Sequence, residues 1–234
     1  MDLFFGFRVP GASGMTTLTS EMYSRYMTLL EFEGHLRRKL EKYDRPRPFI
    51  SDGNPLECRV FIVGINAATE MRQDFWNFWH RTSGFDKEKW LEAYVLERKE
   101  KPLKPNRTRR NRLSSTRQRI EWITESMKPV KALETNLFVK ATPTADELDL
   151  EDRKSYIFEF LLDTIRPEII FIHGNEVREY FEEFYNIAIT KNKMGSFNIM
   201  GTKTNVLAMD HLSRGWSKKK STDLGKTLRD QIIR

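Results

Sequence analysis

VFIVGINAATEMRQDFW, residues 60–76, starts as a run of apolar residues and breaks at Gly64. Four consecutive apolar residues running into a glycine predict a strand buried on both faces, over Arg59–Val63. The break then supplies Ile65, Asn66, Ala67 and Ala68, where a nucleotide-binding turn would supply further glycines. Two aromatic pairs follow, at 75–76 and 78–79.

The same kind of strand recurs along the chain. Lys131–Val139 (KALETNLFV) and Glu168–His173 (EIIFIH) are short and apolar, and Asn205–Met209 (NVLAM) follows a turn at Gly201. Phe197–Met200 with Asn205–Met209 reads either as a hairpin-like pair or as a late fourth strand. Between the strands the pattern turns helical. Residues 19–42 are amphipathic, with Thr19 or Ser20 as cap. Asp74–Glu97 is helical with an interruption at Gly84, and Ser114–Met127 is a second helix. Ala145–Ile165 is a long helix stopped by Pro167, Gly174 opens a helix to Phe184, and Ser221–Ile232 closes the chain. RPRPFISDGNP, 45–55, reads as a turn-rich connection. Short buried strands alternating with helices predict an α/β sandwich with a mainly parallel sheet. Ligands of such sheets bind beyond the carboxyl ends of the strands, here Gly64–Ala68, Asn136–Lys140, His173–Gly174 and Asp210–Trp216.

Charge adds a second signal. The chain carries a formal +7, yet the segment 97–119 alone holds ten Lys/Arg against two acids, a net of +8. The remainder is therefore close to neutral, and the basic character is a patch suited to a polyanion. Taken alone, such a run is also what a solvated loop looks like. Lys218, Lys219 and Lys220 form a smaller cluster. No run of 18 apolar residues exists, which argues against a membrane helix. The lone Cys58 excludes an internal disulfide and a four-cysteine metal site. Residues 1–18 read as a flexible leader lacking signal-peptide features, and 19–234 as one domain of an intracellular protein.

Several chemistries lack their parts. GxGxxG and GxxxxGK[ST] are absent, which disfavours dinucleotide and ordinary NTPase sites. A GxSxG elbow and an HExxH pair are absent too. What the strand ends do hold is GIN at 64–66, the FW pairs at 75–76 and 78–79, TNLFVKATPTADEL at 135–148 and HLSRGWS at 211–217. In that order and spacing they resemble the uracil-DNA glycosylase superfamily across roughly residues 58–232. The first motif is similar to that of the mismatch-specific uracil/thymine branch, and the final motif to the His of the classical uracil-specific branches. Where the family has Pro and Gly after Gly-x-Asn, this chain has Ala67 and Ala68, and where it has Pro after the His, this chain has Leu212.

The resemblance implies a three-layer α/β/α sandwich around a mainly parallel four-stranded sheet. It implies hydrolysis of the N-glycosidic bond of uracil or a related damaged base in DNA, by a monomer needing no metal or cofactor. Asn66 would position the attacking water, and His211 would donate to the oxyanion developing on the base. Gly64, Ile65, Ala67, Phe75 and Asn136 would hold the base, Asn136 by its polar edge and Phe75 by stacking. Ser213, Arg214, Trp216, Arg107, Arg109, Arg110, Arg112 and Lys218 would meet the DNA, with Trp216 or Leu212 wedged where the base had been. Without the resemblance, Asn66 serves a turn, Asn136 a loop hydrogen bond, His211 a helix end and Phe75 the core; His173 reads as structural. A non-catalytic member of the fold that binds nucleic acid or a base is the alternative.

Overall fold

The computed structural model describes residues 27–103 and 108–233. The leader, the cap read at Thr19 or Ser20, and Arg107 lie outside that range. A six-stranded sheet forms the centre, in the order β1 (Phe49–Ser51), β5 (Ala132–Asn136), β2 (Val60–Gly64), β6 (Ile169–His173), β8 (Thr202–Met209), β7 (Gly195–Ile199). The inner four strands are parallel, and β1 and β7 pair antiparallel at the two edges. Two very short strands, β3 (Trp79–His80) and β4 (Gly84–Phe85), form a separate ribbon.

Alternation along the inner strands sorts side chains into two cores. Phe61, Val63, Leu133, Ile170, Ile172 and Val206 face one side, packing with Phe32 and Leu36 of α1 (Leu29–Leu40), Phe158 and Leu161 of α4 (Tyr156–Ile165), and Phe181 of α5 (Asn175–Phe184). Val60, Ile62, Ile169, Phe171 and Leu207 face the other, against Ile120 and Ile123 of α3 (Ser115–Met127) and Leu224 and Leu228 of α6 (Lys218–Ile233). All five residues of β2 and all five of β6 are buried, as expected of strands covered on both faces. The molecule is thus an α/β/α sandwich. Among the described residues no helix is long and apolar enough to cross a membrane.

Several elements differ from the sequence expectation, each for a local reason. The sheet has six strands rather than four, because Phe49–Ser51 leaves the 45–55 connection to cap one edge and 195–209 is both hairpin and fourth parallel strand. The helix expected from Asp74 is a single 3-10 turn, Phe75–Phe78, capped by Asp74. The chain leaves it at Trp79 into the short ribbon, where Gly84, at φ +88°, approaches the Gly53 backbone so closely that no Cβ fits. The true helix, α2, runs Lys87–Glu100 from an Asp86 cap. The helix expected over Ala145–Ile165 starts only at Tyr156. Asp149 accepts from the Asp152 amide at 3.0 Å, and Arg153 donates to the Leu148 and Ala145 carbonyls at 3.1 Å, holding the intervening chain in turns.

Candidate active site

β5, β2 and β6 place Asn136, Gly64 and His173 side by side at the carboxyl edge of the sheet, on the face that α3 and α6 cover. Gly64 is paired with Asn136 directly. It has no positive φ, so it is there for space and not for a sharp exit. A Cβ on Gly64 would stand 2.8 Å from Asn136 Oδ1 and 3.1 and 3.3 Å from His173 Cε1 and Nε2. The glycine opens the gap across which the amide and the imidazole face each other. Among the described residues the Asn136 side chain forms no hydrogen bond, so its donor and acceptor are both available.

His211, in the loop after β8, comes to the same edge. Its ring centroid lies 5.1 Å from that of His173. The Ser213 amide donates to His211 Nδ1 at 3.2 Å, which makes that nitrogen the acceptor and leaves the proton on Nε2. The Ser213 hydroxyl lies 2.7 Å from the same nitrogen. Desolvation holds His211 below the ordinary imidazole range, against the opposing pull of Glu176. It is therefore a neutral donor at neutral pH. Arg119 secures its loop, donating to the Leu212 carbonyl at 2.6 Å and the Trp216 carbonyl at 3.1 Å.

Asn66 stands on the next loop, which is bound backbone-to-backbone to the loop after β5. Leu137, Phe138 and Thr142 amides donate to the carbonyls of Gly64, Ile65 and Ala67, each at 3.0 Å. Asn66 Nδ2 donates to the Thr142 carbonyl at 3.2 Å and to its Oγ1 at 2.7 Å. The amide is clamped by its nitrogen, so Oδ1 is the end it offers elsewhere. Next to this clamp lies a cavity of about 820 Å³, lined by Ala68, Thr69 and Pro143 on one wall and by Arg98, Lys101, Arg109 and Ser114 on the other.

Below Asn136 on the same face of β5 is a buried ionic cluster. The Arg117 guanidinium bonds Glu134, reaches Glu121 at 3.1 Å and lies 4.9 Å over the Trp90 ring. Burial raises the Glu134 pKa, but Arg117 and Arg47 outweigh it and hold the carboxyl below its usual range. The cluster ties the start of α3 to the sheet.

The expected site residues therefore divide. Asn136, Gly64 and His211 converge, joined by His173, and Asn66 sits on the adjoining loop. Phe75 does not join them: it is 4% exposed, stacked 5.1 Å from Phe85 and met edge-on by Phe49 and Trp76. Trp216 and Leu212 are likewise buried, and Trp216 donates to the Asp210 carbonyl, so neither stands out as a wedge. Ile65 and Ala67 contribute backbone to the loop pairing, and Ala67 is buried. Ser213 orients His211. Arg109, Arg112, Arg214 and Lys218 are exposed. Arg110 instead binds the Arg98 and Pro102 carbonyls, holding the basic segment to α2. Arg117 and Arg119, counted in the +8 segment, are structural.

His173, read from the sequence as structural, is the further polar side chain at this edge. It is 5% exposed, and burial, with His211 and Arg117 nearby, pushes its pKa down to about 3. Its Nδ1 is buried without a hydrogen-bond partner. The only signal in the sequence was its place at a strand end. Among the described residues no three His, Cys, Asp or Glu side chains gather to hold a metal ion. No protein-family model matches the chain, and no curated protein matches it significantly.

Proposed function

We propose that the protein is a DNA glycosylase that hydrolyses the bond between a uracil-like base and its sugar. The observation that carries this reading is the convergence of Asn136, Gly64, His173 and His211 at the carboxyl edge of the parallel sheet. There an amide edge and a neutral N–H donor meet over a strand end without a side chain of its own. The basic cavity beside the Asn66 clamp supports a nucleic-acid substrate.

Water attacks C1′ as the C1′–N bond breaks, and the bonding electron pair leaves on the base. Asn66 Oδ1 accepts a hydrogen bond from that water. An amide cannot take its proton, so the proton passes to solvent or to the departing base. Such a site favours a dissociative reaction in which the bond is largely broken before water adds. The His211 Nε2–H stabilises the developing oxyanion, a contribution of about 3 kcal/mol for a preorganised donor. Asn136 pairs with the base's polar edge, which requires the base to be turned out of its stack.

Oligonucleotides holding uracil, a mispaired thymine or a deaminated purine test the reading, with Asn66→Ala and His211→Ala alongside. Release of an abasic product, reduced 100-fold or more in both variants, is expected. No abasic product on any substrate rejects it, as do variants with full activity. Ala67 and Ala68, standing where the family has Pro and Gly, favour a second reading: a non-catalytic binder of bases or nucleic acid. Salt-dependent binding without strand or base release would favour that one.

A further inference from the structure

The Asn136 amide has a symmetry problem. Rotated by half a turn, it exchanges its donor and acceptor while occupying the same space. One orientation matches a carbonyl beside a ring N–H, as in uracil. The other matches an amino group beside a bare ring nitrogen, as in cytosine. Asn136 makes no hydrogen bond within the described residues that would choose between them, and Gly64 leaves the space beside it open.

His173 faces that same space. The position of the missing Gly64 Cβ is 2.8 Å from Asn136 Oδ1 and 3.3 Å from His173 Nε2, so both atoms border one gap. His173 Nδ1 is buried with no partner, and a donor stranded there would be the costlier arrangement. The proton therefore belongs on Nε2, at the gap. An N–H on that side favours the Asn136 oxygen facing it and disfavours the amide nitrogen, whose own hydrogens would oppose it.

We propose that His173 is a specificity-determining positioning residue, whose Nε2–H, bordering the same gap without bonding the amide, biases the Asn136 amide toward one orientation across Gly64, so that the site takes bases presenting a carbonyl–N–H edge and rejects those presenting an amino–N edge. The inference rests on the reading of Asn136 as the base-contacting amide. It adds the element that repels the wrong partner, which an amide alone cannot supply.

The test is an NMR titration of the ¹⁵N-labelled protein with free uracil and free cytosine, for wild type, His173→Phe and His173→Gln. Wild type is expected to bind uracil at least tenfold more tightly than cytosine. His173→Phe fills the ring volume without the donor and should lower that ratio about tenfold, with displaced Asn136 side-chain signals. His173→Gln, which restores a donor, should recover most of it. An unchanged ratio in His173→Phe overturns the proposal, and so does a wild type that binds neither base or shows no preference. Should the variants not fold, the wild-type imidazole resonances decide: a proton on Nε2 supports the proposal and one on Nδ1 overturns it. Uracil release from DNA that is indifferent to His173 would leave the glycosylase reading standing and remove this one. A His173-dependent base preference without release from DNA would do the reverse.

Discussion

Gly64 and His173 carry the residue-scale consequences. A methyl group on Gly64 meets side chains and not backbone, the Asn136 amide first and the edge of the His173 ring second, so Gly64→Ala should be tolerated by the fold. We expect less than about 1 kcal/mol of destabilisation by urea unfolding. The Asn136 amide must swing away, however, and base binding in the same titration should fall tenfold or more. His173 binds a proton less readily folded than unfolded, so its contribution to stability is complete above about pH 6.5 and lost as pH falls toward 3. Relative to His173→Leu, wild type should lose on the order of 4 kcal/mol across that window, measured by denaturant unfolding at a series of pH values. The first-motif asparagine and final-motif histidine drew attention because each stands in a recognisable short run. His173 did not, since its meaning depends on a glycine and an amide that are distant in sequence and adjacent only across the sheet. Phe75 and Trp216 misled for the converse reason: an aromatic residue near a motif looks the same in sequence whether its ring faces a ligand or the core.

At the scale of elements, α3 and α6 pack in close contact on the site-bearing face. A Cβ on Gly225 of α6 would collide with Ser126 Oγ and with the Ile123 carbonyl of α3. Helices this close cannot absorb a methyl group by side-chain movement alone. Gly225→Ala should destabilise by about 2–3 kcal/mol in urea unfolding, despite alanine's better helix propensity. The inner strands were readable from their apolar runs, and α3 behind Ser114 and α5 behind Gly174 were placed to within a residue, whereas α1, expected from Thr19 or Ser20, begins at Leu29 behind a Thr28 cap. The failures at 74–97 and 145–165 share a cause. Helical periodicity was present in both, but Gly84's close approach to Gly53 and the side-chain bonds of Asp149 and Arg153 diverted the backbone, and neither is visible in periodicity.

For the whole molecule, charge and sheet order point the same way. The chain visits β2, then β5 on one side of it, then β6 on the other, so the loops leaving β2 and β6 part at the place where Gly64 and His173 lie. The basic segment stands over one side of this edge. Counting residues made the segment look like a uniform cation, but Arg117 is spent on a buried cluster and Arg119 and Arg110 on carbonyls. Arg109 and Arg112 are the exposed arginines that remain among the described part of it. On the nucleic-acid reading, Arg109→Gln and Arg112→Gln should each reduce the slope of log affinity against log salt by about 0.9, as read by fluorescence anisotropy on duplex DNA. His173→Phe should leave that slope unchanged. The ladder that joins β2 to β5 also continues past the ends of both strands, through the amides of Leu137, Phe138 and Thr142. Although these amides lie outside the strands, their hydrogen exchange should be as slow as that of the strand amides of Ile62 and Val63, and set by the same opening event. The floor of the site would then be no more mobile than the sheet beneath it, and a ligand arriving there would meet a backbone already in place.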